Sequence, residues 1–126
     1  MSGVIATYHG VVQSDAFHFA PRINGTRVHG MIMDTGAFEL TFNQKVASQL
    51  GLPNLGGVQI GGVGGSTQAY QSRCDIEING HKYSDVPCIV DPSLSDVGLF
   101  GLRFFVDNNL KLELNPIAQT LTIVTA

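Results

Sequence analysis

At 126 residues the chain is long enough for one domain with a real core and too short for two lobes. Hydrophobic residues make up 44% and charged residues 13%, and the formal net charge is −3; with no run of Lys or Arg, this argues against nucleic acid as the main partner. No apolar run approaches the ~20 residues of a membrane span. Met1-Ser2-Gly3-Val4 lacks the basic and apolar stretches of a secretory leader, which leans toward a cytoplasmic location without fixing one.

Turn signals are dense and helical periodicity is scarce. Fifteen glycines and repeated Asn-Gly pairs punctuate short alternating runs, which predicts a mostly β domain. Phe17 to Ile23 alternates, turns at Asn24-Gly25, and returns as an apolar strand ending at Asp34. Asn43 to Gly51 is a short helix candidate, with Asn43 as N-cap, Val46, Ala47 and Leu50 as its apolar face, and Gly51 at C′. Residues 58–60 and 66–78 read as the two arms of a hairpin around a glycine-rich tip, and Ile76 to Val90 as another hairpin over Asn79-Gly80. Phe104 to Asn109 suggests a second short helix, followed by Leu110 to Leu114, an Asn115-Pro116 turn, and Leu121 to Val124. The segments Ile23-Asn24-Gly25-Thr26-Arg27 and Ile78-Asn79-Gly80-His81-Lys82 form a faint internal repeat. Pairing across Asn79-Gly80 would set Cys74 nearer Asp85 than Cys88, so these two cysteines read as buried free thiols rather than a bridge.

Three pieces stand out chemically. The first is Val28 to Gly36, an apolar strand that delivers the Asp34 carboxylate onto a Thr35-Gly36 turn running into Ala37; burying a carboxylate is costly unless partners stabilise it. Taken alone, the triplet is a weak signal that an Asx turn would explain. The second is Ile60-Gly61-Gly62-Val63-Gly64-Gly65. It fails the GxGxxG spacing at Thr67 and has no Lys before Ser66, so it is neither a dinucleotide nor a phosphate loop. Between strand-like arms it reads as a mobile hairpin tip whose backbone can approach a peptide closely. The third is Leu99-Phe100-Gly101. His9, His18, His29 and His81 show no metal-ligand spacing, so surface or strand-edge roles suit them, and no metal or cofactor is expected. No GxSxG surrounds Ser66 and no Cys-His signature surrounds either cysteine. Asn24-Gly25-Thr26 is formally a glycosylation sequon but reads first as a turn.

In this order, Asp34-Thr35-Gly36-Ala37, Ile60 to Gly65, Ile76-Glu77-Ile78 with Gly80-His81-Lys82, and Leu99-Phe100-Gly101 resemble the active-site turn, flap, mid-chain hairpin and hydrophobic-hydrophobic-Gly motif of the retropepsin-like (retroviral-type) aspartic proteases, over about residues 17–115. The resemblance implies one all-β domain over 1–126, a closed barrel-type acid-protease fold with a flap hairpin and one or two short helices. A single DTG where the chemistry needs two implies a homodimer acting on protein or peptide substrates. Two Asp34 side chains would share one proton and activate a water between them. Thr35 would tie the two turns together, Gly36 would let the backbone reach the peptide, and Val63 would offer its N–H to substrate through a water. The groove implied by motif position is walled by Ile32, Ala37, Thr41, Ile60, Gly61, Gly62, Val63, Val97 and Leu99, with Glu39 near its end, and would favour apolar residues beside the cleaved bond. Asp91 and Asp96 fall in a loop that would border it.

Four departures carry expectations of their own. Ala37 replaces the Ser typical of pepsin-like enzymes, and the missing hydroxyl predicts a mildly acid optimum rather than a strongly acid one. Phe38 and Leu102 occupy positions where viral members carry an Asp–Arg ion pair, which predicts an apolar contact between them, with Arg103 partly compensating. Leu110 to Val124 reads as a hairpin of its own instead of the interleaved termini of the viral family, and the residues before the Asp34 strand are more numerous. Fold does not establish activity, so the alternative is a catalytically silent dimeric peptide- or protein-binding module; a carboxylate at the axis argues for the enzyme.

Overall fold

The computed structural model describes residues 3–59 and 68–126. In chain order the elements are β1 (Val4–His9), β2 (Val11–Gln13), β3 (Ala16–Phe19), β4 (Arg22–Ile23), β5 (Thr26–Arg27), β6 (Met31–Met33), β7 (Thr41–Phe42), α1 (Gln44–Leu50), β8 (Gly57–Val58), β9 (Ala69–Ile78), β10 (His81–Val90), β11 (Gly98–Phe100), α2 (Arg103–Asp107), β12 (Leu110–Asn115) and β13 (Thr120–Thr125). Neither helix is long and apolar enough to cross a membrane.

The local signals act as their chemistry dictates. Asn24 and Gly25 take φ of 49° and 77°, and Asn79 and Gly80 take 49° and 83°, the left-handed pair that a two-residue hairpin needs. Both hairpins form, and they lie side by side, because β4 pairs with β9. The run from Phe17 to Ile23 is broken at Pro21 into β3 and β4, so β3 meets β6 while β4 meets β5. Asn43 caps α1 by accepting the Val46 N–H at 2.8 Å, and Gly51 ends it at φ 70°.

Two sheets result. The larger has ten strands in the order β2-β3-β6-β11-β7-β10-β9-β4-β5, with β8 paired to β9. The smaller is β1-β13-β12. Among the described residues the sheets do not close, so the expected barrel is corrected to an all-β fold of two open sheets. The C-terminal segment forms its own hairpin as expected, and β1 completes that sheet by pairing with β13. Apolar side chains from both sheets and from α2, among them Phe19, Met31, Phe42, Ile76, Ile78, Phe100, Phe104, Leu121 and Ile123, fill one core. Phe100 makes ring contacts with Phe19, Phe104 and Phe105 at 5.6–5.7 Å and so links the strand beside Asp34 to α2.

The β9–β10 ladder departs from the expected register. It runs regularly to Ile76↔Tyr83, then resumes at Cys74↔Val86, with Asp85 at φ 57° in a bulge. The extra residue puts Cys74 opposite Val86 rather than Asp85, and on one buried face with Cys88. Both remain free thiols. The hydrogen bond between them, and then burial, push the Cys74 thiol well above its ordinary range.

Candidate active site

Met31 and Met33 point into the core and Ile32 stands half-buried between them, so the alternation of β6 leaves the next residue, Asp34, at the sheet's rim. The parallel partner β11 fixes its height: the Asp34 N–H donates to Phe100 O at 3.1 Å. The turn is then closed from within. Gly36 N–H donates to Asp34 Oδ1 at 2.9 Å and Ala37 N–H to Asp34 O at 3.1 Å, which makes the segment an Asx turn as well as the terminus of an apolar strand.

Behind the turn the chain is clasped by the element after β11. Leu102 N–H donates to Ala37 O at 3.1 Å and Arg103 N–H to Phe38 O at 2.8 Å. The clasp needs Gly101, because a Cβ there would stand 2.6 Å from Glu39 O and closer still to Phe38 O. Gly98 is needed likewise, since a Cβ would stand 2.7 Å from Thr41 O. These glycines let β6, β7 and β11 pack around the turn with no room for side chains.

Between the segments of Phe38 and Leu102, where an apolar contact is expected, the bonds described are those of the backbone, and the Phe38 side chain is 52% exposed. An ion pair is kept, but one position later on each side: Arg103 Nη1 donates to Glu39 Oε1 at 3.0 Å and Oε2 at 3.2 Å, while its Nε reaches Asp107 Oδ2 at 3.3 Å. Arg103, expected only to compensate in part, is the cation that fastens the turn to α2.

Strand register assembles several of the groove positions read from sequence. Ile32 pairs with Leu99, and Leu99 with Thr41, so three half-buried side chains form one row across β6, β11 and β7 beside Asp34. Val97 lies one alternation along the same face, over Gly30, where a Cβ would meet Val97 Cγ2 at 3.4 Å. Glu39 stands apart from this row, in its pair with Arg103, on the wall of a cavity of about 490 Å³ that reaches Val58 of β8. Thr35 and Gly36 are exposed and Ala37 is half-buried. Ile60, Gly61, Gly62 and Val63 lie outside the described residues; β8 and β9 on either side of them pair as Gly57↔Tyr70 and Val58↔Ala69. In the loop after β10, Asp91 accepts from the Ser93 N–H and hydroxyl, so its carboxylate serves a local turn.

The row also includes a residue that sequence reasoning assigned to the surface or a strand edge. His18 pairs directly with Ile32, and its Nε2 lies 3.0 Å from Gln13 O; a carbonyl can only accept, so this nitrogen carries the proton. The alternation Phe17-His18-Phe19 signalled the facing, but only the β3–β6 register reveals its neighbour. Among the described residues no group of three His, Cys, Asp or Glu side chains is disposed to hold a metal ion.

The fold is shared with known proteins. A retropepsin-like aspartic protease from Rickettsia conorii superposes with a TM-score of 0.68 at 13% identity, over 99% of this chain and 93% of that one. EIAV protease complexed with the inhibitor HBY-793 gives 0.63 at 23% identity, over 80% and 95%. The retroviral protease-like domain of Ddi1 from Leishmania major gives 0.59 at 16% identity, over 79% and 82%. No curated protein matches the sequence. The family model described as "gag-polyprotein putative aspartyl protease" matches residues 20–107, which hold the Asp34 turn and its clasp, and the chain belongs to this family of retropepsin-like aspartic proteases.

Proposed function

We propose that the chain is an aspartic endopeptidase active as a homodimer, cleaving peptide bonds between apolar residues of extended substrates. The observation that carries this reading is the Asp34 turn itself. Its backbone is bonded from below by Phe100 and Leu102, while Thr35 and Gly36 are left exposed, which is the form of half a site awaiting its copy. In the dimer two Asp34 carboxylates share one proton, since adjacent like charges cannot both ionise cheaply. The ionised Asp34 takes a proton from a water, whose oxygen bonds to the scissile carbonyl carbon, and the protonated Asp34 gives its proton to the carbonyl oxygen. Collapse of this tetrahedral diol breaks the C–N bond as a proton passes to the leaving amine. Ile32, Leu99 and Val97, with Thr41, supply a largely apolar wall, and Ile60, Gly61, Gly62 and Val63 are the further positions assigned to substrate binding.

The test is cleavage of a mixed peptide library between about pH 3 and pH 7, wild type against Asp34→Ala at equal dimer fraction. Cuts between apolar residues are expected in the mildly acid range, reduced by roughly 10³-fold or more in the variant. A folded dimer that binds extended peptides and cuts none at any pH would assign the chain to peptide binding instead.

A further inference from the structure

Strand β12 ends the smaller sheet: β13 covers one of its edges, and among the described residues no strand covers the other. Ala126 N–H donates to Asn109 O at 3.1 Å, one step beyond the pair Leu110↔Thr125. Bonded and non-bonded pairs alternate along an antiparallel ladder. Lys111, Glu113 and Asn115 therefore direct their backbone groups at β13, and Leu110, Leu112 and Leu114 direct theirs at the open edge. An open row of donors and acceptors invites another strand unless its charges forbid it.

Here the charges select a partner. Residues 110–114 read Leu-Lys-Leu-Glu-Leu, a pattern that returns to itself with opposite sign when reversed about Leu112. A second copy laid antiparallel across a two-fold axis at Leu112 sets Leu112 against itself, Leu110 against Leu114, and Lys111 against Glu113 of the partner subunit, twice. The leucines fall in the bonded pairs, and the charges in the non-bonded pairs where side chains stand closest. One strand pair is small against the ~800 Å² per partner of a stable interface. Further apolar area is at hand along the path from the site to this edge: Phe38 is 52% exposed, Val106 of α2 66%, and Leu114 39%. Phe38 O is bonded to the first residue of α2, and α2 leads directly into β12.

We propose that β12 is the strand by which two copies of this chain join, forming one six-stranded sheet beneath the paired Asp34 turns. The inference rests on the reading of the chain as a homodimer.

Charge reversal tests it. In Lys111→Glu both cross-axis pairs become Glu–Glu, and in Glu113→Lys both become Lys–Lys. Each variant alone is expected to raise the dimer dissociation constant by roughly tenfold or more. An equimolar mixture regains complementary pairs and is expected to return to the wild-type constant. Both side chains are exposed, so the fold is retained, which far-UV circular dichroism checks. Sedimentation is run on chains that also carry Asp34→Asn, so that cleavage plays no part. Single variants that dimerise as tightly as wild type, a mixture no tighter than its components, or a wild type that stays monomeric would each overturn the interface. Cleavage by the wild type would then still stand if observed, whereas a dimer that follows the charge pattern but cuts nothing supports the interface and overturns the protease.

Discussion

Around Asp34 the side chains of Thr35 and Phe38 face solvent while the backbone beneath them is fastened strand by strand. The β9–β10 hairpin does the opposite: Cys74, Ile76, Ile78 and Cys88 are hidden, and the exposed positions alternate with them along a long ladder. The hairpin is complete within one chain, since every buried face has its cover. The turn is held rigid without being covered, as the homodimer proposed above requires. Changes in the hairpin should move stability and leave the chemistry of surviving molecules intact, whereas changes at the clasp should move both.

Substitutions at three positions break or sharpen that contrast. The largest effect is expected from Gly101→Ala, because the new methyl meets backbone carbonyls of Phe38 and Glu39 that cannot turn aside. A loss of about 3 kcal/mol in chemical denaturation is expected, with cleavage falling further than the folded fraction alone explains. If Gly101→Ala keeps full stability, the clasp is not as tight as its geometry.

A smaller effect is expected from Arg103→Gln, which removes the two-pronged bond to Glu39 and the contact with Asp107. The pair is about one-third exposed, so a cost of about 1 kcal/mol in stability is expected. The sharper readout is kinetic: with Asp34 untouched but its turn less firmly held, kcat should fall more than KM rises. Equal loss in Arg103→Lys would point to geometry rather than charge, since lysine has no second nitrogen with which to hold Asp107 as well as Glu39.

The smallest effect belongs to the hairpin. The Cys74 thiol is held above its ordinary value of 9.0 by its bond with Cys88 and by burial, so its contribution to stability is whole below that value. As pH rises past it the unfolded chain sheds the proton first, and stability falls. Wild type should therefore lose Tm above about pH 9 more steeply than Cys74→Ala, whose stability at neutral pH is lower because a buried group is gone. Matching alkaline slopes would remove the thiol pair from the stability of this hairpin.

What the sequence made legible was local. The Asn24-Gly25 and Asn79-Gly80 turns, the Asn43 cap with Gly51, and the apolar strand that ends in Asp34 each announce themselves within a few residues, because backbone sterics and alternation act at that range. Ile32, Leu99 and Thr41, named from motif positions, stand in one row by strand register. What stayed hidden was tertiary. The bulge at Asp85 shifts half a ladder by one residue on a positive φ that an aspartate does not advertise, and with it the place of Cys74. The Glu39–Arg103 pair spans 64 residues and lies one position after Phe38 and Leu102, where the sequence reading expects an apolar contact in place of the viral ion pair. His18 gained its neighbour only from the strand it happened to join.

The adjacency of β1 and β13 has a consequence in time. Gly3 N–H donates to Thr125 Oγ1 at 2.7 Å, and Thr125 N–H to Gly3 O at 2.9 Å, across 122 residues of chain. Among the described residues the larger sheet draws on nothing beyond Phe100, whereas the smaller one waits for β13 to leave the ribosome. A nascent chain can thus raise its Asp34 turn early and still lack a finished β12 edge. Emergence of β13, rather than of the carboxylate, would set the moment at which the β12 edge proposed above is whole.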